Sequence, residues 1–216
     1  MAIHRTFNHG VRLAYILGLL ILMAATAYAD QAALTKSVGD ALTETNATKT
    51  QLASTLSSLN ALEATKPGED LRPSYQAYVA NFEKTKKDAE TTKQRFAQMN
   101  ADSANYFSSW KSDNEKISNQ QLRKVATKRL QEVQKDYNSS LASLRAASAK
   151  FAPLLADLGD IQTALSNDLT AKGLKAAHGV FKKASHDNGE VQKEIEKATQ
   201  HLTATQTALL PVAGKQ

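Results

Sequence analysis

The chain has 216 residues, of which 42% are apolar; it has no cysteine, nine glycines, four prolines and a formal charge of +6. The missing cysteine excludes disulfides, thiolate metal sites, thiol nucleophiles and lipid attachment through sulfur. Arg5 and Arg12 stand in the first 29 residues with no acid, which leaves +4 for the remainder, too mild a balance to indicate nucleic acid. Ala, Lys, Gln, Glu and Leu recur in helical spacing, which is the composition of long helices.

The amino terminus has a basic lead, an apolar run from Leu13 to about Ala25, and small residues ending in Ala27-Tyr28-Ala29. That order is the pattern of a secretory signal peptide over residues 1–29, with cleavage expected between Ala29 and Asp30 and a periplasmic mature protein. The alternative is an uncleaved signal that anchors the chain in the inner membrane, although the run is shorter than the roughly 20 residues of a comfortable span.

After it, Leu34, Val38, Leu42, Thr45, Leu52, Leu56, Leu59 and Leu62 mostly step by three or four, giving a first helix with a thin, Thr-rich seam and the candidate for a loosely held member. Lys66-Pro67-Gly68-Glu69-Asp70-Leu71-Arg72-Pro73 then stops one helix and admits the next. The second helix, Pro73 to about Ile117, carries Tyr75, Phe82, Ala89, Phe96, Ser103, Trp110 and Ile117 at seven-residue intervals, widened by Val79, Met99 and Phe107 and interrupted by Lys86 and Lys93. At ~1.5 Å per residue it would be about 68 Å long. Ser118-Asn119 supplies a turn and a cap.

The third helix, Gln120 to Leu169, has the strongest pattern. Leu130, Tyr137, Leu144, Phe151, Leu158 and Leu165 form one row, and Val133, Ala147, Leu154 and Ile161 a second between them. Pro153 lies inside it, and the unchanged phase on either side favours a bend over a break. Thr170-Ala171-Lys172-Gly173 is the next reversal. Beyond it Leu174, Ala177, Phe181, Ala184, Asn188, Val191, Ile195, Ala198, Leu202, Thr205 and Leu209 step by three and four, with Asp187-Asn188-Gly189 a point of local distortion.

Short connections force neighbouring helices to run antiparallel, so the expected fold is all-α: an elongated antiparallel helical bundle, or coiled coil, of three to four long helices. Residues 30–210 would form a single elongated helical domain and residues 211–216 a loose tail. The runner-up is a dimer whose second chain completes the core.

The order Trp110, Glu115, Ile117, Leu122-Arg123, Arg129-Leu130, Tyr137, Pro153-Leu154-Leu155, Asp160 and Asn167-Asp168-Leu169 resembles the bacterial Domain of Unknown Function 2959 family, over roughly Thr48 to Leu209. The resemblance implies an exported all-helical protein and brings no established activity with it. Proteins of this kind often begin with a lipoprotein-type signal, and this chain departs from that in having no cysteine to carry the lipid.

No constellation for catalysis, cofactor or metal stands out, and no enzyme activity is expected. His178 and His186 are eight residues apart, with Asp187 and Glu190 nearby, but helix-borne metal ligands need closer pairing, so these read as solvated histidines. Ser185-His186-Asp187 has triad letters by adjacency alone, and adjacent side chains on a helix point apart. Glu190 with Lys193 and Glu194 with Lys197 read as helix-face ion pairs. The basic groups Lys84, Lys86 and Lys87, then Arg123, Lys124, Lys128 and Arg129, then Lys182 and Lys183, read as solvated faces; their functional reading is contact with anionic lipid or cell-wall polymer. Tyr106, Phe107 and Trp110 form either an aromatic tip or core packing at one end of the rod, and packing is favoured.

The functional expectation is therefore a non-enzymatic periplasmic adaptor or structural spacer that presents heptad helix faces to a protein partner or to a second copy of the chain. The alternative is a peripheral binder of anionic membrane or cell-wall polymer through its lysine-rich faces. Nucleic acid is not an expected partner.

Overall fold

The computed structural model describes residues 7–66 and 68–210, with side chains from Tyr28 onward. Four helices follow one another: α1 (Phe7–Glu63), α2 (Arg72–Glu115), α3 (Gln120–Asn167) and α4 (Ala171–Leu209). No strand occurs among the described residues. The bundle is all-α, with four helices among the described residues. Residues 1–6 of the expected signal peptide, and the expected loose tail of residues 211–216, lie outside the described residues, and the cleavage expected after Ala29 falls within α1. Among the described residues no helix is long and apolar enough to cross a membrane.

Each helix begins and ends where local chemistry dictates. At the start of α2 a proline occupies the first turn, where its missing N–H has no carbonyl to serve. Asp70 receives both the backbone N–H of Arg72, at 3.0 Å, and its guanidinium. Asn119 caps α3 by accepting the Leu122 N–H at 3.0 Å, as its residue type predicts. The third reversal sits earlier than the sequence suggests. α3 stops at Asn167, and Thr170 is the cap of α4, accepting the Gly173 N–H at 3.1 Å. Gly173 is needed here not to break a helix but to let the turn pass close by. A Cβ on it would stand 2.0 Å from the Asp168 carbonyl oxygen. In the first loop, Gly68 takes a φ of 92°, a left-handed conformation in which glycine has no Cβ to clash. α3 runs unbroken through Pro153, and α4 runs unbroken through Asp187-Asn188-Gly189.

α1 packs against α2 and α4, and α3 against α4 and α2; contact is most extensive between α1 and α2 and least between α2 and α3. The first helix is thus an integral member, contrary to its expected loose attachment. Its seam holds because the diluting hydroxyls have partners. Thr48 meets Thr92 of α2 at 2.8 Å, and Thr55 meets Thr85 at 2.8 Å, with all four residues buried. Gln51, also buried, donates to the Asn81 carbonyl at 3.1 Å.

The core has two parts. Toward the α1–α2 and α3–α4 loops, Leu52 to Leu62 of α1 pack with Tyr78, Phe82, Leu154, Leu158, Ile161, Leu165 and Phe181. Toward the α2–α3 loop, Leu34, Val38 and Ala41 pack with Met99, Tyr106, Phe107, Leu130, Val133, Tyr137, Leu202 and Leu209. The two meet along α3 and α4 through Leu144, Ala147, Ile195 and Ala198, whereas on α1 and α2 the threonines lie between them.

Candidate functional site

The histidines do not converge. His178 Nδ1 is in contact with a carboxylate oxygen of Glu63 on α1, while His186 is exposed. The carboxylates near His186 are held by lysines: Lys183 reaches Asp157 at 2.5 Å and Asp187 at 2.8 Å, and Lys193 reaches Glu190 at 2.8 Å. Its hydrogen bonds to Asp157 and then to Asp187 hold the Lys183 ammonium above the usual lysine range. Glu190 is held below the usual carboxylate range, first by its hydrogen bond from Lys193. Among the described residues no three His, Cys, Asp or Glu side chains group so as to hold a metal ion. Ser185 and His186 are exposed, and Asp187 is engaged by Lys183, so the three adjacent residues form no triad. A Ser–His contact does occur between Ser143 of α3 and His201 of α4, at 2.6 Å, on the exposed face of the bundle.

The three basic groups have different fates. Lys86 is paired with Glu83 at 2.7 Å and lies 5.0 Å from the centre of the Phe82 ring. Lys183 is clamped by the two aspartates just described. Arg123, Lys124, Lys128 and Arg129 stand instead on the exposed first turns of α3; Arg123 donates to the Ile117 carbonyl at 2.7 Å and Arg129 to the Ala208 carbonyl at 2.8 Å, contacts that leave their charge unneutralised.

The aromatic cluster belongs to the core. Tyr106 packs against Phe107 and Trp110, with ring centroids 5.3 and 5.4 Å away, and Phe107 meets Tyr137 edge-on at 5.5 Å. Tyr137 donates to the Met99 carbonyl at 3.3 Å, and at the other end Tyr78 donates to Leu158 at 2.5 Å. Burial raises the phenols of Tyr78, Tyr106 and Tyr137 above their ordinary value.

What sequence reasoning missed is a groove. Where α2 and α3 fail to close, a trough of about 310 Å³ opens at mid-length, walled by Ala89, Phe96, Leu144, Phe151 and Leu155 and floored by Thr45, Thr48 and Thr92. Lys86, Glu90 and Lys93 also border it. A volume near 300 Å³ with mostly apolar walls and a few polar groups is typical of a binding site. The hollow between the two loops is larger, about 620 Å³, but beside Leu71, Leu169 and Leu174 its lining holds six ionisable residues, among them Glu63, Asp70 and His178. The signal for the groove was present in the sequence: Lys86 and Lys93, which interrupt the second-helix stripe at a seven-residue interval, mark its edge.

Residues 23–206 match the family model described as Protein of unknown function (DUF2959). No curated protein and no solved structure matches the chain. With nearly the whole bundle inside that match, the chain belongs to the DUF2959 family.

Proposed function

We propose that this chain is a non-enzymatic helical adaptor of the bacterial periplasm, exported by a signal cleaved near Ala29, which holds a partner protein through its helix faces. The inner membrane, with the signal retained, is the alternative location. The observation that carries the reading is the α2–α3 groove. Ala89 and Phe96 stand one heptad apart on one wall, and Leu144, Phe151 and Leu155 repeat at helical spacing on the other. That is the geometry into which an amphipathic helix lays its side chains. Lys86 and Lys93, one heptad apart at the border, are paired with Glu83 and Glu90 of their own helix, and acidic residues flanking a partner's apolar stripe would compete for them.

A photo-crosslinking residue at Glu90, exposed beside the groove, tests this in cells. A discrete adduct is expected from position 90 and not from Glu132 on α3, and Ala89→Trp, which fills the groove, should abolish it. An adduct insensitive to Ala89→Trp, or no adduct above that from position 132, would refute the reading. Mass spectrometry of the mature protein should begin at Asp30; a peptide that retains Arg12 would move the location to the membrane-anchored alternative.

A further inference from the structure

We propose that the tip of the bundle formed by residues 111–129, the end of α2 and the start of α3, docks on the surface of an anionic lipid bilayer. The proposal does not depend on what occupies the groove, which lies at the level of Ala89 to Phe96, well away from the tip.

The tip projects beyond its neighbour. α4 ends at Leu209, whose carbonyl accepts the Gln31 amide at 2.6 Å; beside it the Arg129 guanidinium reaches Ala208 at 2.8 Å. α3 starts at Gln120, so its first nine residues pass the end of α4. At ~1.5 Å per residue they extend about 14 Å further.

This projection carries apolar side chains that stand well exposed. Leu122 is 61% exposed and Val125, almost one turn on, is 65% exposed. With Leu210, they are three of the four large hydrophobic residues that are exposed from Asp30 onward among the described residues; the fourth, Val180, lies on α4 toward the opposite end. Leu210 lines one hollow together with Trp110 and Arg129, so all three belong to this end.

The charge is concentrated in the same place. Residues 111–129 hold Lys111, Lys116, Arg123, Lys124, Lys128 and Arg129 against Asp113 and Glu115, a net +4 out of the chain's +6. Of the two acids, Asp113 already receives Lys116 at 2.8 Å. Exposed apolar residues set among cations suit a bilayer interface, where the side chains enter the acyl boundary while the cations meet lipid phosphates. A polysaccharide or nucleic acid would satisfy the cations and leave Leu122 and Val125 in water.

Chain continuity points the same way. Asp30 accepts from Ser109 of α2 at 2.7 Å, which places the entry of α1 into the bundle at this end. The apolar run from Leu13 to Ala25 lies just upstream in the same chain. Where the signal is retained, any membrane contact made by that run holds this end, and not the two-loop end, toward the bilayer.

Because the chain has no cysteine, a single one introduced as Val125→Cys carries an environment-sensitive fluorophore on the full chain without ambiguity, and Val180→Cys provides the control. On phosphatidylglycerol vesicles the label at position 125 should shift to the blue and be quenched by a brominated acyl chain, while the label at 180 should not. Phosphatidylcholine vesicles should give little of this response. Lys124→Glu with Lys128→Glu, at two exposed positions, should weaken the response about tenfold or more, and so should added salt on the chain without those charge reversals. A position-125 label that stays in water while the chain binds vesicles would overturn the proposal, since the upstream run would then be anchoring alone. So would an equal response on phosphatidylcholine, indifference to both salt and charge reversal, or an equal response to a soluble polyanion such as heparin.

Discussion

A buried hydroxyl is tolerated where another polar atom meets it, and the α1–α2 interface meets that condition twice. Thr55 Oγ1 lies 2.8 Å from Thr85 Oγ1 and also donates to the Gln51 carbonyl at 3.2 Å. Removing one member strands the other, whereas removing both leaves two methyl-bearing side chains of matching shape. Thr55→Val should therefore cost about 1–3 kcal/mol, and the double variant with Thr85→Val less than the sum of the singles, a coupling that urea denaturation of the four-member cycle would measure. Hydropathy could not reveal this pairing, because a threonine in a seam looks like dilution until its partner, 30 residues away, is known. Gly173 carries a similar hidden constraint. With a Cβ only 2.0 Å from the Asp168 oxygen, Gly173→Ala must open the α3–α4 turn, at a cost of about 1–3 kcal/mol in denaturant melts.

Among the elements, α3 and α4 were legible almost residue for residue, because their seams are largely apolar and pack against each other. Leu130, Val133, Tyr137, Leu144, Ala147, Leu154, Leu158, Ile161 and Leu165 are all buried. The gap in the second row is filled by Ser140, whose hydroxyl meets Thr205 at 2.9 Å. α2 was legible as a helix and only in part in its rotation: Phe82, Met99, Ser103 and Phe107 of the expected stripe are buried. Its deepest column is Tyr78, Thr85, Thr92, Met99 and Tyr106; the apolar column read from the sequence lies beside it, with Tyr75, Ala89, Phe96 and Trp110 half-buried. The helix turned its hydroxyls inward because α1 offered them partners, and that rotation left Ala89 and Phe96 on the groove.

The same elements set the pH response. A raised phenol means that folding favours the neutral form, so the contributions of Tyr78, Tyr106 and Tyr137 are complete below the unfolded value of about 10 and are lost as pH rises past it. Lowered carboxylates act in the opposite sense. Asp40, paired first with Lys36, and Glu83, paired first with Lys86, stabilise above the unfolded value of about 4 and lose that contribution as pH falls. Both carboxylates sit at the surface, so the acid limb should shrink in salt while the alkaline limb persists. Melting temperature followed across pH at low and high salt would show this, and Tyr78→Phe should flatten the alkaline limb.

At the scale of the whole molecule, the two halves of the core are joined differently on the two sides of the bundle. At mid-length α3 and α4 carry apolar side chains, Leu144, Ala147, Ile195 and Ala198, between the two parts of the core, whereas α1 and α2 are interrupted there at Thr48, Thr92 and the groove. The free energy of local opening follows buried apolar contact, so the mid-length of α2 should open before that of α4. Amide exchange should be faster at residues 88–96 than at residues 191–199. Ala89→Leu adds apolar volume at the groove wall, where there is space for it, and should slow exchange there and stabilise the fold by about 1–2 kcal/mol. If the groove is kept open for a partner helix, the same substitution should suppress the adduct from position 90. Stability gained at the expense of binding would identify a gap in an otherwise continuous core as a functional feature of the rod. Faster exchange at residues 88–96 after Ala89→Leu would mean that the walls cannot accept the side chain and that the gap is already filled by close packing.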